Sequence, residues 1–283
     1  MTQTARDRQR APACSICEGS GLLVAAGGLL AEAEICSCSR RCHICHGDRF
    51  LYQRDRFDRD VSVPCECALR EARMRRFNEA HIPGRFADAA LTENFRDAHN
   101  QVAFSTFKLL AAEYEPGHKG ILVMGPPGTG KSFLVAAFLR ELALKRGVRV
   151  LFQDFFHLLK DLRAGYSQGK GESELIEPLV DVDVLAVDEL GKGRNTPWEQ
   201  YILDVIISHR YNTQRTTIFT TNYTDSRSTT LSERIRSRDW NPAEGEHETR
   251  DTLIERVGER VYSRLREMCD FVTMSGPDRR DIA

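Results

Sequence analysis

Two apolar runs and one run flanked by threonines, all near the middle of the chain, predict strands separated by helices. The run 121–124 precedes a glycine-rich turn and a helical pattern over 133–146, and two more runs follow at 184–187 and 217–220. Strands that are apolar at every position are covered on both faces, as in parallel sheets with helices on each side. The pattern therefore predicts an α/β domain in this part of the chain.

The turn after the first run has the spacing of a phosphate-binding P-loop. Its residues are Gly125, Pro126, Pro127, Gly128, Thr129, Gly130, Lys131 and Ser132. Glycines let backbone N–H groups surround a phosphate, and the N-terminus of the following helix adds a positive dipole. We expect Lys131 to reach the β- and γ-phosphates of ATP and the Ser132 hydroxyl to bind Mg²⁺.

Polar residues after the next two strands complete the predicted site. Asp188 is expected to hold the water shell of Mg²⁺, and Glu189 to orient and deprotonate the water that attacks the γ-phosphate. Asn222 follows the run 217–220 and is expected to contact that water or the γ-phosphate. An asparagine in this place is usually a turn former, so its role rests on the order of the motifs. These residues predict hydrolysis of ATP to ADP and phosphate.

Eight of the nine cysteines lie before residue 68 and form a repeated pattern, C-x2-C-x18-C-x-C and then C-x2-C-x19-C-x-C. A nucleotide-hydrolysing protein belongs in the reducing cytosol, so metal explains the cysteines better than disulfides. Each unit predicts a β-hairpin whose two ends hold one tetrahedral zinc ion, giving two Zn²⁺ per chain. The predicted ligands are Cys14, Cys17, Cys36 and Cys38 in the first unit and Cys42, Cys45, Cys65 and Cys67 in the second.

Spacing alone leaves the pairing open, because the outer four and the inner four cysteines could instead form two nested sites. His43 and His46 are adjacent to ligands, but eight thiolates already fill two sites, so we interpret both as surface residues. Cys269 stands apart and is predicted to be a small buried residue. The first unit resembles the zinc hairpins of DnaJ-type chaperones through C-x2-C-x-G-x-G, which implies a zinc fold and not chaperone activity.

Charge and length limit the remaining possibilities. Lysine and arginine number 40 against 41 acidic residues, so nucleic-acid contacts must come from local patches. No apolar run reaches membrane-spanning length, and we expect a cytoplasmic protein without membrane contact. The 283 residues suffice for two domains. We predict a zinc domain over 1–68, an arginine-rich helical linker over 69–85, which is either a solvated connector or a nucleic-acid contact, and an ATPase domain over 86–283.

Beyond the P-loop, several short motifs occur in the order of a known family. The segments are 81–86, 91–95, 125–132, 182–191, 210–211, 220–222 and 258–265. In this combination the chain, from about residue 81 to 280, resembles bacterial helicase loaders of the DnaC/DnaI type and the related IstB transposition ATPases. The resemblance implies an AAA+ ATPase with a five-stranded parallel sheet, helices on both faces and ATP at the carboxyl ends of the strands.

The resemblance also implies self-association. Arg264 aligns with the arginine that AAA+ subunits insert into a neighbour's ATP site, where a guanidinium stabilises charge on the transferring phosphoryl group. Arg260 lies one turn earlier on the same helix face and is the second candidate. Where many loaders have two aspartates, this chain has Asp188 and Glu189, which favours active hydrolysis. The polar segment 225–250 is interpreted as a surface loop.

Three functions fit these features. The first is an ATP-switched loader that binds a hexameric replicative DNA helicase through its zinc module and also binds single-stranded DNA. The second is an IstB-like transposition helper that acts on duplex DNA with a transposase. The third is a zinc adaptor that uses nucleotide only for structure, which Glu189, Asn222 and Arg264 argue against. Basic residues beside aromatic ones are the candidates for contacts with single-stranded DNA. They are Lys160, Arg163 and Lys170, near Phe155, Phe156 and Tyr166. The competing interpretation is that Phe155 and Phe156, with Leu158, Leu159 and Leu162, form the core face of a helix.

Overall fold

The computed structural model of the protein describes residues 14–225 and 252–281. Its strands are β1 (Leu22–Ala26), β2 (Ala31–Ile35), β3 (Phe50–Arg54), β4 (Asp60–Pro64), β5 (Gly120–Met124), β6 (Val150–Asp154), β7 (Val184–Asp188), β8 (Thr217–Thr221) and β9 (Cys269–Thr273). Its α-helices are α1 (Glu66–Asn78), α2 (Gln101–Glu113), α3 (Lys131–Glu141), α4 (Phe155–Ser167), α5 (Glu172–Asp181), α6 (Pro197–Asn212), α7 (Leu253–Val257) and α8 (Glu259–Met268). The loop predicted over 225–250 lies, after its first residue, outside the described residues.

Five parallel strands form the central sheet in the order β6-β7-β8-β5-β9. This arrangement confirms the predicted fold class. β8 lies between β7 and β5, so the three strands that carry the predicted motifs are neighbours. The helix predicted over 133–146 starts earlier, at Lys131, and ends at Glu141. A π-helical turn over Leu142–Arg146 follows it, and Gly147 closes that turn in a left-handed conformation.

The sheet separates two hydrophobic clusters, which explains the continuous apolar runs. Ile121 and Val123 of β5 belong to one cluster with α2 and α3. Leu122 and Met124 of the same strand belong to the other, with residues of α4, α6 and α8. Alternate side chains of a strand point to opposite faces, so a strand buried on both faces needs apolar residues at every position. Each fully buried side chain of this size contributes about 1.5–3 kcal/mol.

Two antiparallel hairpins precede the sheet, as predicted. β1 pairs with β2 and β3 pairs with β4. The first hairpin packs on the core beside the sheet: Ala31 and Ala33 are buried in the same cluster as α2 and α3. Its backbone also joins the core, because the N–H of Ala31 donates to the carbonyl of Ile82 at 2.7 Å. Among the described residues, the core clusters contain no side chain of the second hairpin.

The arginine-rich segment is a packed helix and not a solvated connector. Phe77 near the end of α1 is fully buried, and Arg76 donates a hydrogen bond to the carbonyl of Gly147. The Asn78 side chain bonds both backbone groups of Ala33 in the first hairpin. The domain boundaries predicted at residues 68 and 85 therefore lie in a region where α1, the first hairpin and the core are joined by side-chain and backbone contacts.

Candidate nucleotide-binding site and zinc centres

Glycines shape the loop between β5 and α3 because its backbone is left-handed and tightly enclosed. Gly128 and Gly130 have φ values of 79° and 93°. A Cβ atom at Gly128 would lie 2.2 Å from Oδ1 of Asp278, and one at Gly125 would lie 2.0 Å from the carbonyl oxygen of Met274. Both distances are far shorter than van der Waals contact, so larger residues are excluded. The loop thereby leads directly into the N-terminus of α3, the setting predicted for a phosphate cradle.

Lys131 is the first residue of α3 and points back over the loop. Its Nζ donates to the carbonyls of Gly125 and Pro126 at 2.8 and 2.7 Å and to Oδ1 of Asn222 at 2.8 Å. Burial lowers the pKa of Lys131 to about 8, although the carboxylates of Asp188 and Glu189 act to raise it. The structure thus brings the predicted phosphate lysine and the predicted sensor asparagine into direct contact.

Asp188 ends β7 and is nearly fully buried. Its Oδ1 accepts hydrogen bonds from Ser132 Oγ at 2.8 Å and from Thr220 Oγ1 at 2.5 Å. Burial raises the pKa of Asp188, whereas the bonds from Thr220 and Ser132 lower it, and the net shift is upward. A hydroxyl and a carboxylate at this spacing are oxygen ligands of the kind that Mg²⁺ accepts, directly or through its waters. Ser132 and Asp188 therefore fit the predicted magnesium position.

Glu189 has a left-handed backbone, with φ of 57°, which is uncommon for a residue with a side chain. Its N–H donates to Thr220 Oγ1 at 3.0 Å, and this bond holds the turn at the end of β7. The carboxylate lines the cleft over the P-loop and accepts a hydrogen bond from Lys192. Strain of this kind costs about 1–3 kcal/mol and is concentrated at functional sites.

A cleft of about 710 Å³ opens over the P-loop, a volume suited to a nucleotide. Its walls include five residues to which the sequence reasoning assigned no role at this site: Arg85, Phe86, Phe95, Arg279 and Arg280. Local patterns do not reveal residues that come together from distant segments, although three of these residues belong to the family segments 81–86 and 91–95. Backbone amides, a lysine and an oxygen pair for Mg²⁺ give this cleft the donor set that ATP requires.

Arg279 and Phe95 form one wall of this cleft. The Arg279 guanidinium lies 4.7 Å from the Phe95 ring centre, and its Nε donates to the carbonyl of Thr129 at 3.1 Å. The Phe95 ring stacks on Phe133 at 4.7 Å. A positive group above the P-loop and an aromatic surface beside it are suited to phosphate and to a nucleobase, respectively.

Neither predicted finger residue lines this cleft. Arg264 donates to Asp204 Oδ1 and to Ser208 Oγ, both at 2.6 Å, and its side chain is 19% exposed. Arg260 lies 3.5 Å from Asp204 Oδ2 and is 72% exposed. Both arginines therefore lie on the outer side of α8 against α6, and Arg264 is the more firmly held within its own chain.

The eight cysteines form two compact groups in sequential pairing. Cys14, Cys17, Cys36 and Cys38 form one group and Cys42, Cys45, Cys65 and Cys67 the other, with all sulfurs of a group within 4.8 Å of one another. Tetrahedral Zn–S bonds of about 2.3 Å place sulfurs about 3.8 Å apart, so both groups fit zinc. The nested pairing is wrong. His43 and His46 are exposed and Cys269 is buried, as predicted.

The two zinc loops share one backbone geometry. Gly19 and Gly47 follow the first cysteine pair of each unit and have φ values of 82° and 112°. The turns direct N–H groups at sulfur: Gly21 donates to Cys17 Sγ and Arg49 donates to Cys45 Sγ, each at 3.3 Å. Such donors favour thiolates, the form that binds zinc. The pKa of Cys42 falls to about 6 mainly because the N–H groups of Cys45 and Ile44 bond its sulfur.

The predicted DNA-binding residues divide between core and surface. Phe155 is buried, whereas Phe156 on the same helix is 50% exposed. The Arg163 guanidinium lies 4.6 Å from the ring centre of Trp198, and Tyr166 meets the same ring edge-on. Trp198 lies in the first turn of α6 and was not predicted to belong to this surface. The half-buried rings of Tyr166 and Trp198, with the exposed Arg163, therefore join α4 and α6 in a strip of aromatic and cationic groups.

The fold and the site define a P-loop ATP-binding protein of the AAA+ architecture. The chain belongs to the family of IstB-like ATP binding proteins, whose model matches residues 65–231. It is 34% identical over 137 residues to the uncharacterized protein YdaV of Escherichia coli K12, covering 48% of this chain and 55% of YdaV. It is 31% identical over 133 residues to the replicative helicase loader DnaC of the same strain, covering 46% and 54% of the two chains. The chain spans about half the length of the curated relatives it matches.

Solved structures support the same assignment. The crystal structure of the DnaC helicase loader matches with a TM-score of 0.54 and 29% identity, covering 67% of this chain and 98% of that chain. AMPPCP-bound DnaA of Aquifex aeolicus matches with a TM-score of 0.52 over 68% of this chain and 52% of that one, at 19% identity, so this likeness concerns the fold alone. The predicted resemblance is confirmed. Within 14–225 and 252–281, no helix is long and apolar enough to cross a membrane.

Proposed function

We propose that the protein is an ATP-driven loader that places a hexameric replicative DNA helicase on single-stranded DNA. The observation that carries this proposal is the hydrogen-bonded nucleotide site, in which Lys131 contacts Asn222 and Ser132 contacts Asp188, in a chain related to a protein named a replicative helicase loader. A chain that merely used nucleotide for structure would not need the Glu189 carboxylate, which lines the cleft beside the P-loop. The cycle therefore includes both binding and hydrolysis of ATP.

The proposed hydrolysis assigns one task to each residue. Lys131 and the amides of 125–132 hold the phosphates, and Ser132 and Asp188 hold Mg²⁺, which neutralises charge on the phosphate oxygens. Glu189 orients and deprotonates the attacking water, and Asn222 holds that water or the γ-phosphate. Arg264 of one subunit, with Arg260 as the alternative, reaches the ATP of the next and couples turnover to assembly.

The strip formed by α4 and α6 is the proposed contact for single-stranded DNA. It combines the exposed rings of Phe156 and Tyr201, which are 50% and 51% exposed, with the Arg163–Trp198 pair. Bases stack on such rings while cations contact the phosphates, and neither contact depends on sequence. Lys160 and Lys170 extend the positive charge. The zinc hairpins supply the contact with the helicase.

A transposition helper is the second candidate, and the match to the IstB-like family model favours it. Both functions use the same ATPase site, so the site cannot separate them. The two zinc hairpins argue for the loader, because they add a compact binding module that lies almost entirely before the residues that match the family model.

One competition experiment tests the proposal. The full-length protein is immobilised, and the host's replicative helicase is titrated with and without ATP, with a transposase of the same host as competitor. We expect ATP-dependent helicase binding that the transposase does not displace, and tighter binding of single-stranded than of duplex DNA. Binding of transposase and duplex DNA without helicase would instead support the second candidate.

A further inference from the structure

The two zinc hairpins are alike in their metal sites but differ in their surroundings. The first hairpin is built into the ATPase core through Ala31 and Ala33, and the N–H of Gly84 donates to the carbonyl of Leu29 at 2.9 Å. A Cβ atom at Gly84 would lie 2.5 Å from the carbonyl oxygen of Gly28, so the backbone of the hairpin tip lies directly against the backbone at Gly84. The second hairpin has no such packing among the described residues. Its role is therefore not to complete this core.

The second hairpin exposes three large aromatic rings to solvent, although burial of such rings would be favourable. Tyr52 is 82% exposed, Phe57 is 61% exposed and Phe50 is 51% exposed. Phe50 and Tyr52 lie two positions apart on β3 and therefore share one face of the hairpin. Phe57 lies in the turn between β3 and β4. Exposed aromatic clusters rimmed by polar residues are typical of protein interaction sites.

Charge decides which kind of partner fits. The second unit, 42–67, contains four arginines and five carboxylates, and a Zn²⁺ held by four thiolates adds two further negative charges. The loaded hairpin is therefore net negative, which repels a phosphate backbone. Arg54 and Arg59 are paired with aspartates of the same hairpin. Arg56 has no carboxylate partner among the described residues, and its guanidinium lies 4.7 Å from the Phe57 ring centre.

We propose that Phe50, Tyr52 and Phe57 are the surface that docks the helicase, whereas the first zinc hairpin serves the ATPase core. The inference rests on the proposed loader function. The partner surface is an apolar depression with a carboxylate at its rim, which accepts hydrogen bonds from Arg56. Tyrosine and arginine beside exposed rings are the residue types that contribute most to protein interfaces. We do not expect nucleic acid to bind this surface, because the zinc-bound second hairpin carries a net negative charge.

The test compares Tyr52→Ser with Leu29→Ser in the full-length, zinc-loaded protein. Leu29 is the matched control because it is 92% exposed and lies at the tip of the first hairpin. We expect Tyr52→Ser to weaken helicase binding at least about tenfold, as loss of an interface anchor does, and Leu29→Ser to change it less than about twofold. Phe57→Ser should follow Tyr52→Ser. Zinc content, ATP affinity and affinity for single-stranded DNA should match the parent in all three variants.

Each other outcome overturns a defined part of the proposal. If the parent binds the helicase and Tyr52→Ser and Phe57→Ser bind it equally well, the surface is wrong and the loader function stands. If Leu29→Ser loses as much binding as Tyr52→Ser, docking is not confined to the second hairpin. If Tyr52→Ser and Phe57→Ser lose affinity for DNA but still bind the helicase, the surface binds nucleic acid and not the helicase. If the parent binds no helicase at all, the loader function itself fails.

Discussion

Two oppositely charged groups at the centre of the nucleotide site are shifted toward their neutral forms. Burial lowers the pKa of Lys131 to about 8 and raises the pKa of Asp188. Removing either charge from water costs free energy, and the neighbouring hydrogen bonds recover part of it. A phosphate next to Lys131 and a divalent cation next to Asp188 would each favour the charged form. Ligand binding at this site is therefore linked to proton exchange.

We predict that ATP affinity falls as the pH rises through about 8. The phosphate binds the protonated lysine, whose pKa rises in the complex, so above pH 8 the free protein must take up a proton on binding. The affinity should decrease about tenfold between about pH 7 and pH 9. Titration with a fluorescent ATP analogue measures the affinity, and calorimetry in two buffers of different ionisation enthalpy measures the proton uptake. Constant affinity without proton uptake would contradict the pKa shift.

Lys131→Ala should abolish ATP binding, because it removes the cation that contacts the phosphates. Glu189→Gln should bind ATP like the parent but lose hydrolysis by at least about a hundredfold, since the amide cannot take a proton from water. Equilibrium binding and phosphate release, measured on both variants, separate these effects. Unchanged ATP affinity in Lys131→Ala would show that the site lies elsewhere.

At the scale of elements, the first zinc hairpin contacts a segment that leads directly into the wall of the nucleotide cleft. The hairpin tip contacts Gly84 through the backbone, and the next two residues, Arg85 and Phe86, line the cleft. Arg85 stacks on the Phe86 ring at 4.7 Å. No flexible linker separates Gly84 from the described residues that line the cleft. A displacement of the hairpin would therefore be transmitted to the cleft wall.

Loss of the first zinc should therefore affect the core around the sheet more than loss of the second, which is joined to that core through α1. Cys14→Ser and Cys42→Ser are matched, because both are half-buried first ligands of their units. Each variant should lose one zinc. Cys14→Ser should lower the melting temperature by more than about 4 °C, which corresponds to roughly 1–2 kcal/mol, and weaken ATP binding, whereas Cys42→Ser should change both values less. Equal effects of the two substitutions would argue against the asymmetry of the hairpins.

At the scale of the whole molecule, the ATP site needs a second subunit if an arginine acts in trans. The structure holds Arg264 against Asp204 and Ser208 of its own chain, so that guanidinium must leave Asp204 to reach a neighbour. Arg260 is more exposed and has the longer contact with Asp204. The assignment of the finger to Arg264 stays a prediction, and these contacts define how to test it.

Arg264→Ala should keep ATP binding and lose hydrolysis, because the missing group acts across an interface. Mixing it with Glu189→Gln protein should restore ATPase activity, since some interfaces then combine an intact arginine with an intact glutamate. Asp204→Asn is the control, because it weakens the hold on Arg264 without removing the guanidinium and should retain activity. If mixed assembly is confirmed and no mixing ratio restores turnover, the role passes to Arg260.

Local sequence determined the features whose geometry is set by neighbours along the chain. The P-loop lies where its spacing predicts, because β5, a glycine-rich turn and the start of α3 follow one another within a few residues. The acids at the end of β7 and the two cysteine repeats also lie where the motifs place them, although their contacts join more distant parts of the chain. Resemblance to a family supplied the five-stranded sheet and the order of the motifs, and the structure confirms both.

Tertiary structure decided what depends on contacts between distant segments. It buried Arg210 completely, where the guanidinium donates to the carbonyls of Leu179, Val182 and Thr216 and to the Thr217 hydroxyl. It brought Arg279 to the P-loop from 150 residues away and packed one of two hairpins with nearly identical cysteine spacing into the core. The repeat makes the hairpins look equivalent, because cysteine spacing encodes the metal site and not the surface that the hairpin meets. Only long-range packing assigns the two hairpins different surroundings.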